Sequence, residues 1–238
     1  MNVYPVNLTQ GALLSCPFKA DYSDLANLYH PYLKHRCWFR NVGKITLIAE
    51  WGRSAEADTI ILADTNCTNF EITIYDNAGS VIDTQNTDDI EFINIFKFPK
   101  NEIKRVAITF SGVGELYIGY LFIGNKVELP RFIINPEFTT GIQSESGRTN
   151  GGQAYGSLLP TLDTVKVSFI RIPQDKMIIV EDYSQSVQNV IPHIIDLYPE
   201  AHEVIAPMYV TLSSAITKTK REEDNFYWNF SLSWQEAR

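Results

Sequence analysis

Between Lys44 and Gly124 apolar residues return at every second position in short runs, and nothing between the runs is long or periodic enough to be a crossover helix. Ile45, Leu47 and Ala49 alternate, Thr59 to Ala63 has the composition of a buried strand, and Phe70, Ile72 and Ile74 alternate up to a turn at Asp76, Asn77, Ala78 and Gly79. Ile90 to Phe98, Ile103 to Phe110 and Glu115 to Ile123 continue the series. Strands joined without crossovers run antiparallel, so this stretch is predicted to be an antiparallel jelly-roll sandwich. The last run of the chain carries the same signature. Phe226, Trp228, Phe230, Leu232 and Trp234 fall on one face, and Tyr227, Asn229, Ser231 and Ser233 on the other. Such a strand is expected to lie against a core, with its polar side toward solvent or a neighbouring subunit.

Three segments are expected. Residues 1–40 read as an N-terminal arm, in which Leu25, Leu28, Tyr29, Tyr32 and Leu33 have helix-like spacing broken by Pro31. Residues 41–126 are the sandwich. Residues 127–238 read as an α+β assembly domain, set off by Pro130, Pro136 and a polar loop at 141–156. In this last segment a strand is predicted from Thr164 to Ile172. Pro173 then opens a helix in which Met177, Val180, Tyr183, Val187 and Val190 share a face, ending before Pro192. Strands at Ile194 to Tyr198 and Met208 to Leu212, a charged turn from Lys218 to Asp224 and the terminal strand complete a sheet carrying one helix. The fold class is therefore mainly β.

A 45% hydrophobic content over 238 residues is ample for a core and excludes disorder for most of the chain. The net charge of -8 argues against a nucleic-acid partner, because phosphate binding needs clustered Lys and Arg. The start of the chain has neither a basic segment nor a long apolar run, so no signal peptide and no membrane insertion are expected, and synthesis is expected to end in a cytoplasm. Cys16, Cys37 and Cys67 are odd in number and irregularly spaced, which fits reduced thiols. The sequons at Asn7, Asn66 and Asn229 read as accidents of composition.

Trp38, Phe39 and Arg40, the run ADTIILADTNCTNFEITIYD from Ala57 to Asp76 and the closing run ELYIGYLFIG from Glu115 to Gly124 together resemble the discoidin-like, or galactose-binding-like, jelly rolls. The order that follows is ELPRFIINPEF, a GGQAYG loop from Gly151 to Gly156, a long strand and helix, and FYWNFSLSWQE from Phe226 to Glu236. This succession resembles minor virion proteins of tailed bacteriophages, and the sheet with one helix is similar to the tail-tube-like module of tube, terminator and distal tail proteins. Distal tail proteins commonly place that module first, the reverse of the order here. The resemblance implies a non-enzymatic structural component at the tail tip or baseplate of a virion. Its expected partners are other tail proteins and copies of itself in a ring; a receptor- or glycan-binding module of the tail is the alternative.

No motif for catalysis or a cofactor is present: the sequence lacks a G-x-S-x-G elbow, a nucleotide loop and an H-E-x-x-H pair. His30, His35 and Cys37 lack the spacing of a metal site, His193 and His202 read as surface or turn residues, and Asp88, Asp89 and Glu91 read as a solvated turn rather than a calcium loop. Trp38, Arg40, Trp51 and Arg53 are candidates for a host-surface glycan patch, since aromatic faces stack on sugar rings and Arg forks onto hydroxyls. The same four residues would serve equally to hold an adjacent subunit. In the polar loop, Arg148 and Tyr155 are the candidate assembly contacts.

Overall fold

A computed structural model describes residues 1–40, 43–132, 136–141, 144–148, 154–158, 162–188, 190–201, 205–213, 216–220 and 227–237, with 144–148 and 154–158 given by their backbone pairing. His202 and Phe226 lie outside the described residues.

The first unit is an antiparallel sandwich of β2 (Ala12–Ser15), β3 (Cys37–Phe39), β4 (Ile45–Thr65), β5 (Asn69–Tyr75), β6 (Val81–Thr87), β7 (Ile93–Ser111) and β8 (Leu116–Gly124), which follow β1 (Asn2–Tyr4). Its strand order is β3-β8-β4-β7-β5-β6, with β2 on the free side of β4. Sequence periodicity implies two strands each for β4 and β7, yet each is one long strand that turns a corner. Register shifts between Glu50 and Ala55 and between Ala57 and Thr59 mark the bulges where the ladder bends. Before the corner β4 pairs with β7 from Ile45 to Glu50; beyond it β4 runs between β7 and β8. The two halves become the two layers, closing Leu47, Ile60, Leu62, Phe70, Ile108, Phe110 and Ile118 into one core.

The second unit comprises β9 (Val127–Glu128), β10 (Glu137–Gly141), β11 (Ser144–Arg148), β12 (Ala154–Leu158), β13 (Leu162–Pro173), α1 (Gln174–Val187), β14 (His193–Asp196), β15 (Met208–Leu212), β16 (Thr217–Lys220) and β17 (Tyr227–Glu236). Its sheet has the order β10-β13-β17-β15-β14-β1-β9, with β16 also on β17. Met177, Val180, Tyr183 and Val187 of α1 are buried as their spacing predicts, and they pack on Val165, Val167, Phe230, Leu232 and Trp234. Pro173 is the N-cap, and Gln188 ends the helix in the left-handed region, so Val190 lies beyond it and is exposed. The charged turn expected from Lys218 is partly a strand: Thr217 to Lys220 pair with Trp228 to Ser231.

Two expectations are corrected. Residues 1–40 are built into both units rather than forming an arm. Asn2 to Tyr4 pair with Asp196 to Ile194 on one side and with β9 on the other, Ala12 to Ser15 pair with β4, and Cys37 to Phe39 pair with β8. The loop at 141–156 contains a ladder, because Ser144 to Arg148 pair with Leu158 to Ala154 as a two-stranded ribbon. Small polar residues hid this ribbon, since without apolar residues there is no period to detect.

The units share a third core. Ile61, Ala63, Ile93, Tyr120 and Phe122 on the outer face of the β8-β4-β7 layer pack against Tyr4, Ile194 and Tyr209 of the second sheet, with Leu33 between them. Polar links flank it: Tyr209 Oη donates to Pro31 O at 2.6 Å, and Lys97 Nζ reaches Pro199 O at 3.3 Å and the buried Asp196 carboxylate at 4.0 Å.

Two predictions follow from this packing. Val3 is wholly buried on a strand paired on both sides, so Val3→Asp, which buries a charge without a partner, is expected to cost several kcal/mol and to leave the second unit unfolded by amide exchange. Inside the same unit Trp234 Nε1 donates to Tyr183 Oη at 2.7 Å, and Tyr183 Oη lies 2.6 Å from His193 Nε2. The other imidazole nitrogen lies 2.9 Å from Ile191 O, which fits a neutral ring donating from Nδ1 and accepting at Nε2. Burial lowers the His193 pKa to about 4. Between that value and 6.5 the unfolded chain binds a proton that the folded chain refuses, so stability is expected to rise with pH across that window. The gain attributable to His193 is about 3 kcal/mol, and urea unfolding of His193→Gln should show a correspondingly flatter pH dependence.

Candidate functional site

β3 is a short strand with a clean division of faces. Cys37 and Phe39 enter the sandwich core, which turns Arg36, Trp38 and Arg40 outward. Trp38 pairs with Tyr117 of β8, and their rings are 5.0 Å apart at 54°. The Arg36 guanidinium lies 4.1 Å from the centre of the Tyr117 ring and forks onto Asp64, with Nε at 2.8 Å from Oδ2 and Nη2 at 3.0 Å from Oδ1. This hydrogen-bonded pairing raises the Arg36 pKa above its ordinary value. Arg40 pairs with Asp21 at the surface, and local desolvation, with a hydrogen bond to Glu115, raises the pKa of the neighbouring Tyr22. Asn66 braces this end of the layer: its Nδ2 donates to Glu115 O at 2.7 Å, and its Oδ1 accepts from Tyr117 N–H at 2.8 Å.

The arrangement rests on an unusual backbone position. Asp64 has φ +51°, which reverses the in-and-out alternation of β4 and points its carboxylate at Arg36 on the open face. Opposite it, a Cβ on Gly119 would come within 2.8 Å of Asp64 Oδ2 and 2.9 Å of Asp64 Cβ, so only glycine fits.

Next to the patch a cleft of about 360 Å³ separates the two units. Leu33, Ile93, Met208 and Tyr209 form its apolar part; Lys34, Arg36, Asp64, Asp163 and Glu236 supply the charges. Arg36 and Asp64 therefore belong to both the patch and the cleft.

Of the four candidate glycan residues, the structure turns Trp38 of β3 and Arg40 just after it to the same side and places Trp51 and Arg53 elsewhere, at the corner of β4. Trp51 is only 5% exposed, sits in the sandwich core and donates from Nε1 to Leu8 O at 3.0 Å, so its ring offers no face to a ligand. Arg53 is exposed beside it. Gly147 and Arg148 of the ribbon pair with Tyr155 and Ala154, and the side chains of Arg148 and Tyr155 lie outside the described residues. His30 and His35 stack with ring centres 4.1 Å apart, and His30 Nδ1 accepts from Tyr32 N–H. His193, expected at the surface or in a turn, is buried. Among the described residues no three His, Cys, Asp or Glu side chains are placed to hold a metal ion, and no helix is long and apolar enough to cross a membrane. All three cysteines are free, with burial pushing the Cys37 and Cys67 thiols up to about 11. Arg36, Asp64, Tyr22 and Tyr117 escaped the sequence reading. The alternation Arg36-x-Trp38-x-Arg40 was the available signal for the first of them; the Asp64 contact depends on a backbone reversal that no periodicity displays.

No protein-family model and no curated protein matches the chain. Several solved structures align with about half of it. The lectin domain of lectinolysin, complexed with Lewis B antigen, aligns at TM-score 0.46 and 12% identity over 52% of this chain and 99% of that one. A Streptococcus pneumoniae fucose binding module aligns at 0.44 and 10% over 50% and 95%. The family 32 carbohydrate-binding module of C. perfringens NanJ, in complex with galactose, aligns at 0.42 and 14% over 52% and 98%. The assignment of an antiparallel sandwich rests on the strand pairing itself.

Gly119→Ala is expected to displace Asp64, release Arg36 and destabilise the chain by about 1–3 kcal/mol, as overpacking does. Chemical denaturation measures the loss, and altered Tyr117 ring shifts in NMR spectra would report the departure of the guanidinium.

Proposed function

We propose that this chain is a non-enzymatic protein that couples glycan recognition to assembly, working at the tail tip or baseplate of a tailed-phage virion. The sandwich meets a sugar on the host surface, and the sheet-and-helix unit docks with tail proteins or copies of itself. One observation carries the recognition half: Trp38, Tyr117, Arg36 and Arg40 share the open end of a layer whose other end is clamped under the second sheet. Aromatic rings held by packing, beside paired charges that can offer both donors and acceptors, suit the apolar face and hydroxyl edge of a pyranose. The placement in a phage tail rests on the order of sequence segments from Glu128 to Glu236.

The ribbon Ser144–Arg148 with Ala154–Leu158 favours the assembly half, and with it a second reading in which the chain only braces neighbouring tail subunits. Its strands pair with each other and with no other described strand, and a lone two-stranded ribbon is marginal in water, so docking on another chain would stabilise it.

Two measurements separate these roles. Trp38→Ala should weaken binding of the full chain to immobilised glycans by at least about tenfold with little change in melting temperature, whereas an unchanged affinity would sink the recognition half. Replacing residues 144–158 by a short Gly-Ser turn should leave the chain folded and exclude it from particles; normal incorporation would sink the assembly half.

A further inference from the structure

We infer that the glycan site is composite: it begins on the Trp38–Tyr117 ledge of the sandwich and continues into the cleft between the units, so its ligand is a neutral oligosaccharide held by both units. This rests on the glycan reading above and extends it.

Continuity is the first ground. Trp38 contacts Tyr117, Tyr117 carries the Arg36 guanidinium, Arg36 forks onto Asp64, and Arg36 and Asp64 both line the cleft. A sugar stacked on Trp38 thus has Tyr117 and then Arg36 alongside it, and the following ring of the same chain lies toward the cleft mouth. There the opposite wall is Tyr209, Met208, Asp163 and Glu236 of the second unit.

Size and chemistry are the second ground. A cleft of about 360 Å³ lies near the lower end of the roughly 300–1,000 Å³ range of ligand pockets, which suits a small part of a longer glycan. Phe92, 59% exposed on the cleft wall, offers an aromatic face on which a second sugar ring can stack. Charge on the rim is mixed. Lys34 and Arg36 stand against Asp64, Asp163 and Glu236, so hydroxyls that both donate and accept are matched, while a polyanion meets three carboxylates on a chain of net charge -8. The third core keeps the walls in register, so little ordering cost remains for the ligand to meet.

The test uses the full chain and measures affinity for a neutral monosaccharide, the neutral tetrasaccharide that ends in it and a sialylated tetrasaccharide. Expected is tetrasaccharide binding at least tenfold tighter than monosaccharide binding, with the sialylated form weaker. Trp38→Ala should lower affinity for both neutral ligands. Phe92→Ala and Lys34→Ala, both in the cleft lining, should each cost about five- to tenfold for the tetrasaccharide and leave the monosaccharide unchanged. Val81→Ser on the distant β6 edge is the control. Equal affinity for monosaccharide and tetrasaccharide, or tetrasaccharide binding indifferent to both rim variants while Trp38→Ala abolishes it, overturns the composite site and leaves glycan recognition standing. Failure of the chain to bind any of a broad panel of glycans overturns recognition itself, and the composite site with it.

Discussion

Everything in this molecule is arranged around a layer that has no free side along much of its length. The outer half of β4, with β8 and the start of β7, is covered on one face by the rest of the sandwich and on the other by Tyr4, Ile194 and Tyr209. A strand so placed cannot alternate between apolar and polar residues, and Ile60, Ile61, Leu62 and Ala63 are all completely buried in consequence. Each large aliphatic side chain removed from water there contributes about 1.5–3 kcal/mol, shared between two interfaces that would otherwise be independent. The joint between the units is therefore made of the same material as their interiors, unlike the polar, mobile junctions common between domains.

Where that double cover ends, the chemistry changes within two residues. Asp64 follows Ala63 directly, takes the left-handed backbone and turns the strand's next side chain outward to Arg36. The same event requires glycine on the facing strand at position 119. Patch and packed layer are thus consecutive stretches of the same strands, and the rigidity of one is inherited by the other.

Legibility in the sequence tracked this geometry. Alternation exposed the sandwich strands, the face of α1 and the core face of β17, because burial on one side writes a period of two or nearly four into the residues. Continuity through a corner writes nothing, so β4 and β7 each read as two strands. The three residues of β1 are too few for any period, and their place between β14 and β9 comes from partners more than half the chain away. Trp38 and Arg40 were found because aromatic and guanidinium groups are rare and chemically marked. Trp51 looked identical on that criterion and is a core residue, since type alone says nothing about which side of a bend a ring falls on.

The interior position of β1 also shapes how the chain matures on the ribosome. Tyr4 is made well before its partner Ile194, which follows only after on the order of tens of seconds of further synthesis. For the last part of that interval the sandwich has all its strands and can close, while its outer apolar face waits for a sheet that is not yet complete. The second unit must then assemble around a strand made long before most of its sheet, a long-range closure of the kind that slows folding.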